Sequence, residues 1–317
     1  MSTSTSTMTA AKASGLTDPP LHANAAPNRP GAPARTIVGD LREIVAELRQ
    51  SRDLIQQLTL RDIRIRYKQA VFGFAWALLI PAAVVLSGLA VRVALSYAAG
   101  RGLDWSQIGG MAVKALPWAF FVGCLNSGTA SLIANKSLVT KIYFPREVLP
   151  LGSVLAQSFD TMIGLGLLTV VLPFLGVRPS WQLLWVPALL FTLWTFALAT
   201  ALLLSCLNLF FRDVKYLVQI FLTFGIFITP VIFDAPMFGE LGARILMLNP
   251  VAPILEGLRL SVVQQHNLLQ PLTVTSPVHF VFWQPWYLLY AGVWAFGGIL
   301  FSAVVFHRSE RHFAEVV

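Results

Sequence analysis

Six stretches of this chain stay apolar for longer than a soluble fold requires, and they constrain its class more than anything else in it. They fall at roughly 72–98, 112–135, 148–174, 182–209, 214–233 and 285–306. A bilayer core takes about 20 consecutive apolar residues to cross as a helix. Hydrophobic residues make up 56% of the 317 and charged residues only 12%, against about 25% charge in ordinary globular domains. Backbone polar groups in lipid must be satisfied within the segment, which helices do on their own. The expected fold is an all-α membrane protein with six transmembrane helices.

The net charge of +8 does not form a nucleic-acid-binding face, because it collects between the apolar segments. Seventeen Lys and Arg residues lie before span one, in the second and fourth loops and after span six. Five lie in the opposite loops (Arg101, Lys114, Arg178, Arg244, Arg259), and Arg92 sits within a span. Cationic loops stay on the cytoplasmic side, so both termini are expected in the cytoplasm. Cys124 and Cys206 lie inside apolar runs and read as small hydrophobes.

Residues 1–36 are rich in Ser, Thr, Ala, Pro and Asn and contain no apolar run. They predict a disordered tail without a cleavable signal peptide. Residues 37–68 form the next unit and 69–317 the membrane domain. Asp40 and Glu43 have capping-box spacing. Leu41, Ile44, Leu48, Ile55 and Leu58 then recur at helical intervals, which predicts an amphipathic helix in the membrane interface or packed on another subunit. Thr59 is a candidate cap for a second short helix carrying Arg61, Arg64, Arg66 and Lys68. On a helix Arg61, Arg64 and Lys68 share a face while Arg66 points away.

Between spans five and six lie about 50 oddly apolar residues. Two short runs broken by Asn249-Pro250 predict helices that dip into the outer leaflet and return, or a plain loop with a surface helix. Leu272–Trp286 reads as extended chain with an aromatic anchor, and Trp181, Trp185, Trp283 and Trp286 read as interface belts.

No G-x-x-x-x-G-K-[ST], H-E-x-x-H or G-x-S-x-G occurs, so the chain carries no nucleotide cradle or hydrolase signature. No catalytic residue and no metal ligand is assigned. Two cytoplasmic loops, NKSLVTKIYFPREVLP at Asn135–Pro150 and FFRDVKY at Phe210–Tyr216, combine apolar knobs with charge, as a docking surface for a partner does.

Four blocks together resemble one family. They are LRDIRIRYKQAVFGFAWALLIP at Leu60–Pro81, the loop at Asn135–Pro150, NLFFRDVKY at Asn208–Tyr216 with Thr229-Pro230, and LNPVAPILEGLR at Leu248–Arg259. Their order is similar to that of the membrane subunit of type-two ATP-binding-cassette exporters, in the branch that exports O-antigen, capsule and teichoic acid. The resemblance implies an inner-membrane homodimer with two copies of a separate ATPase, which would hold ATP and magnesium. It implies no cofactor in this chain. Lys141, Ile142, Tyr143, Phe144, Pro145, Arg146 and Glu147 correspond to the principal coupling helix, and Arg212 and Asp213 to the second cytoplasmic contact. The helix from Asp40 corresponds to the interface helix, and those around Asn249-Pro250 to re-entrant helices. The tail and the stretch 264–284 depart from the pattern.

The implied substrate is a lipid-linked glycan. Arg61, Arg64 and Lys68 suit a lipid phosphate at head-group level, or simply anchor the topology. Phe72 and Trp76 share a face and are the pore-lining candidates. Asp160 lies about 18 Å into span three at 1.5 Å per residue, where a carboxylate needs a partner. Arg92 is the expected partner, in a structural pair or intersubunit lock rather than a substrate contact. An exporter of a drug or another lipid, and a membrane enzyme of glycan or lipid assembly, remain as alternatives.

Overall fold

In the computed structural model, residues 37–68, 75–98, 105–141, 144–274 and 279–316 are described. The chain from Ile37 onward forms one compact unit. Eleven helices are present among the described residues: α1 Ile37–Gln50, α2 Arg52–Tyr67, α3 Ala75–Ala98, α4 Trp105–Ala134, α5 Lys136–Lys141, α6 Val148–Val171, α7 Trp185–Phe210, α8 Val214–Ile228, α9 Gly239–Met247, α10 Val251–Val262 and α11 Trp286–Val316. Strands β1 (Leu272–Val274) and β2 (Phe280–Trp283) pair antiparallel between α10 and α11.

Four helical stretches are long and apolar enough to cross a membrane: Gln107–Ala134, Val148–Leu175, Trp181–Phe210 and Trp286–Glu310. Each coincides with an expected span. The fifth expected span is the 15-residue α8, an apolar helix too short for that criterion, and it ends before Thr229-Pro230. The first expected span coincides with α3, 24 residues with Arg92 as its one charge.

The bundle centres on α4 and α7, which pack along each other; α6 lies on α4 and α11 on α7. Close approach needs small residues, because helices in lipid associate by packing rather than by escape from water. A Cβ at Gly128 would stand 2.6 Å from the Cβ of Ala201, so the α4–α7 contact depends on that glycine. Cys124 and Cys206 are buried free thiols, as read from the sequence.

The amphipathic stretch is divided at a different place than expected. α2 runs through Thr59, and the break comes instead at Ser51. Asp40 lies within the first turn of α1, and its carboxylate accepts from Arg308 Nε at 3.0 Å rather than capping a helix start. The apolar stripe behaves as its spacing predicts. Ile44 and Leu58 are buried, and Leu48 and Ile55 pack on the core. The surface they cover belongs to the same chain, α6 for α2 and α11 for α1.

α10 is buried along its whole length against α4 and α7, which a surface helix would not be. Asn249 makes the turn before it: its amide donates to Thr229 Oγ1 at 2.8 Å and its carbonyl accepts from Val251 N at 3.1 Å. Trp283, expected in an interface belt, is fully buried, and its indole donates to Leu268 O at 2.9 Å. A large ring with its polar edge satisfied is as stable inside as at the interface. Trp181, 86% exposed, and Trp286 stay on the outside.

Candidate functional site

A cavity of about 660 Å³ opens between α2, α4, α6 and α8. Its origin lies in a polar thread through apolar helices. The last turn of α2 brings Arg66 and Tyr67 against Asp160 of α6. Arg66 Nη1 donates to Asp160 Oδ2 at 2.6 Å and to Gln157 Oε1 at 2.8 Å, and the Tyr67 hydroxyl donates to the other Asp160 oxygen. Burial, and then the facing carboxylate, hold the Tyr67 phenol protonated well above its ordinary range. Gly123 makes the arrangement possible, because a Cβ there would meet the Gln157 side chain at 2.4 Å.

The side chain of the expected partner, Arg92, lies outside the described residues; among them Asp160 is paired with Arg66. The reason is topological. Only 8% of Asp160 is exposed, and α2 packs along α6 so that Arg66 reaches it from the side. Around this neutral pair the cavity presents Asn126, Gln219 and Thr223 together with Trp118. The result is a surface that hydrogen-bonds and stacks but carries no net charge. Phe72 lies outside the described residues, as does the side chain of Trp76.

The three cations of the other α2 face differ in state. Arg61 Nη2 donates to Asp62 Oδ1 at 2.9 Å and to Asn135 Oδ1 at 2.8 Å, which ties α2 to the end of α4. Arg64 and Lys68 are exposed and form no ion pair among the described residues. An anion at this level would meet those two first.

The first elbow, between α5 and α6, is turned partly inward. Lys141 is exposed at the end of α5, and Ile142 and Tyr143 lie outside the described residues. Phe144 and Glu147 are buried, and Pro145 and Arg146 are half-buried. Arg146 Nη1 donates to Glu310 O at 2.6 Å, and its guanidinium lies 5.6 Å from the centre of the Phe313 ring. Arg212 and Asp213 in the second elbow are exposed, beside Phe211 and Tyr216. Phe210 reaches the same Phe313 ring at 6.0 Å, so the last turns of α11 join both elbows.

One site went unread in the sequence. Lys114, counted there among loop cations, is completely buried. Its ammonium donates to Phe233 O at 2.6 Å and Asp234 Oδ1 at 2.9 Å, and lies 3.4 Å from Glu256 Oε1. Arg259 Nε meets Glu256 Oε2 at 2.7 Å and Asp234 Oδ1 at 3.4 Å. Two cations and two anions thus lock α10 and the segment after α8 onto α4. The available signal was a lysine inside an apolar run, since a charge at that depth implies a partner.

No family model matches the chain. Three curated proteins are similar to it. The O-antigen export system permease protein RfbA of Myxococcus xanthus is 28% identical over 278 residues, 86% of this chain and 99% of that protein. Two proteins of the same name from Klebsiella pneumoniae are 27% identical over 204 residues and 24% identical over 273. The first covers 64% of this chain and 77% of its own length, the second 84% and 95%. These relatives bear out the resemblance to polysaccharide-export permeases drawn from the four sequence blocks, and they suggest a transport subunit rather than an enzyme.

Proposed function

We propose that the chain is the membrane subunit of an ATP-driven exporter that moves a lipid-linked, O-antigen-type polysaccharide across the bacterial inner membrane. Two copies would frame the pore, and two copies of a separate ATPase would dock at the elbows from the cytoplasm. α3 and α8 complete six spans in this reading, and α9 and α10 are re-entrant helices on the outer side. At 1.5 Å per residue α3 extends about 36 Å, enough for the bilayer core.

The observation that carries the proposal is a hydrogen-bonding cavity of no net charge inside an apolar bundle. A permeating sugar chain needs partners for its hydroxyls that release it again, and amides, hydroxyls and an indole face provide them without binding a fixed charge. The Arg66–Asp160 pair keeps its charges for each other. Arg64 and Lys68, exposed at the foot of the same helix, are placed to meet the phosphate of the lipid carrier by charge-assisted hydrogen bonds. Arg212, Asp213 and Lys141 offer the outward-facing contacts for the ATPase. Transport would follow if the nucleotide-bound partner prefers one of two states of the bundle.

The test is reconstitution in vesicles with an ATPase subunit that co-purifies with the chain. The expected result is ATP-dependent appearance of lipid-linked glycan on the far leaflet, lost when the ATPase is omitted. Export that proceeds without any nucleotide-hydrolysing partner, or ATP-dependent flux of lipids but of no glycan, would overturn the proposal.

A further inference from the structure

Behind the first elbow the fold gathers Glu147, His307 and Glu310, from the start of α6 and the last turns of α11. One potential ligand atom from each lies within 4.8 Å of the others. Glu147 is 3% and His307 7% exposed, and Glu310 is half-buried, so the set is not a cluster of surface carboxylates. We propose that these three side chains form a binding site for one divalent cation of the zinc type, which staples the elbow to the end of α11.

Three features point to a metal rather than to a simple ion pair. The first is Glu147 Oε2, which is buried and has no hydrogen-bond partner among the described residues. A buried carboxylate oxygen left bare is costly, and a cation relieves it. The second is spacing. His307 Nδ1 stands 3.3 Å from Glu147 Oε1, and two ligands on a tetrahedral zinc at about 2.0–2.1 Å are separated by about 3.4 Å. Glu310 must close in by roughly 1 Å, within reach of a side-chain rotation. The third is on the far side of the ring, where Glu43 Oε2 lies 3.7 Å from His307 Nε2. A carboxylate behind a histidine that points its other nitrogen at a metal is the usual arrangement for fixing the ring's tautomer.

Charge agrees with this. Glu43, Glu147 and Glu310 converge on one imidazole and on Arg146, whose backbone N–H donates to Glu310 Oε1 at 3.2 Å. One imidazole with carboxylates suits zinc and its neighbours, whereas magnesium and calcium prefer all-oxygen sets. Three protein ligands leave a fourth position for water. The site stands apart from the cavity and owes nothing to the transport reading.

The experiment uses the full chain purified in detergent, stripped with chelator and titrated with Zn²⁺ and with Co²⁺ as a spectroscopic probe. The expected result is one metal per chain, a visible-region Co²⁺ band of tetrahedral intensity, and at least tenfold weaker binding in Glu147→Gln and His307→Gln. His307→Cys, which keeps a ligand, should retain Co²⁺ and add a thiolate charge-transfer band, so a misfolded variant cannot mimic the result. Arg244→Gln, remote from the site, should bind as the parent does. Absence of stoichiometric Zn²⁺ or Co²⁺ binding, equal affinity in Glu147→Gln, or binding of Mg²⁺ in preference to Zn²⁺ would overturn the assignment.

Discussion

Replacing Lys114 by Met keeps most of the length of the side chain and removes its charge from a buried site. Lys114 and Glu256 are both 0% exposed, Arg259 is 8% and Asp234 21%. At the 3.4 Å that separates Lys114 from Glu256, the Coulomb attraction is about 5 kcal/mol for an effective dielectric of 20. The variant leaves two carboxylates sharing Arg259 and one buried negative charge uncompensated. Loss of one partner of a buried pair costs about 3–5 kcal/mol, and the partial exposure of Asp234 places Lys114→Met near the lower end. Adding Glu256→Gln restores neutrality, since Arg259 and Asp234 still face each other at 3.4 Å. The double variant should therefore recover part of the loss, with a coupling energy of about 2 kcal/mol, within the range found for charges in one network. The assay is equilibrium unfolding of the purified protein in mixed micelles, followed by tryptophan fluorescence. A Lys114→Met variant within 1 kcal/mol of the parent, or single effects that simply add in the double, would refute the reasoning.

Three further outcomes are expected. A double-mutant cycle on Arg66→Met and Asp160→Asn in the same unfolding assay should show a coupling of about 1–2 kcal/mol, less than for Lys114 because the Arg66 side chain is 31% exposed; the corresponding cycle with Arg92 should be additive. Gly128→Val should destabilise the bundle by about 1–3 kcal/mol, since even a Cβ there stands 2.6 Å from Ala201; Gly166→Val, where a Cβ meets nothing within 4 Å, should change stability by less than about 0.5 kcal/mol. Replacing Arg61, Arg64 and Lys68 together by Ala should lower glycan flux in reconstituted vesicles while ATPase binding, read by co-purification, survives; Arg61→Ala alone should leave flux nearly intact and mainly lower stability, because Arg61 is held by Asp62 and Asn135.

Much of the bundle was legible because lipid leaves helices little choice. The runs at 148–174, 182–209 and 285–306 announce α6, α7 and α11 by length alone. The stripe from Ile44 to Leu58 announces which side of α1 and α2 is covered. Pairings of charge were less legible. Asp160 demanded a partner, and the sequence pointed to Arg92; that Arg66 reaches it follows from the packing of α2 on α6, which no local pattern announces. Lys114 was misread because a loop cation and a buried one look alike until Asp234, Glu256 and Arg259 are brought together across long separations. Trp283 was misread for the same reason, since an aromatic near a span end suits the interface unless a carbonyl waits inside for its indole. The inward turn of Arg146 and Glu147 depends on the end of α11, about 160 residues later, and no local pattern carries that.

The last turns of α11 are made after every other part of the end of the bundle that they fasten. Phe313 fills the space under Arg146 and against Phe210, and Arg308 reaches Asp40 in the first turn of α1. During synthesis the earlier helices enter the membrane with that end still open, and it closes only when residues 306–313 arrive. A nascent chain stalled short of them would be inserted yet incomplete, with its elbows loose. Proteases that sample that end would find such chains by those elbows.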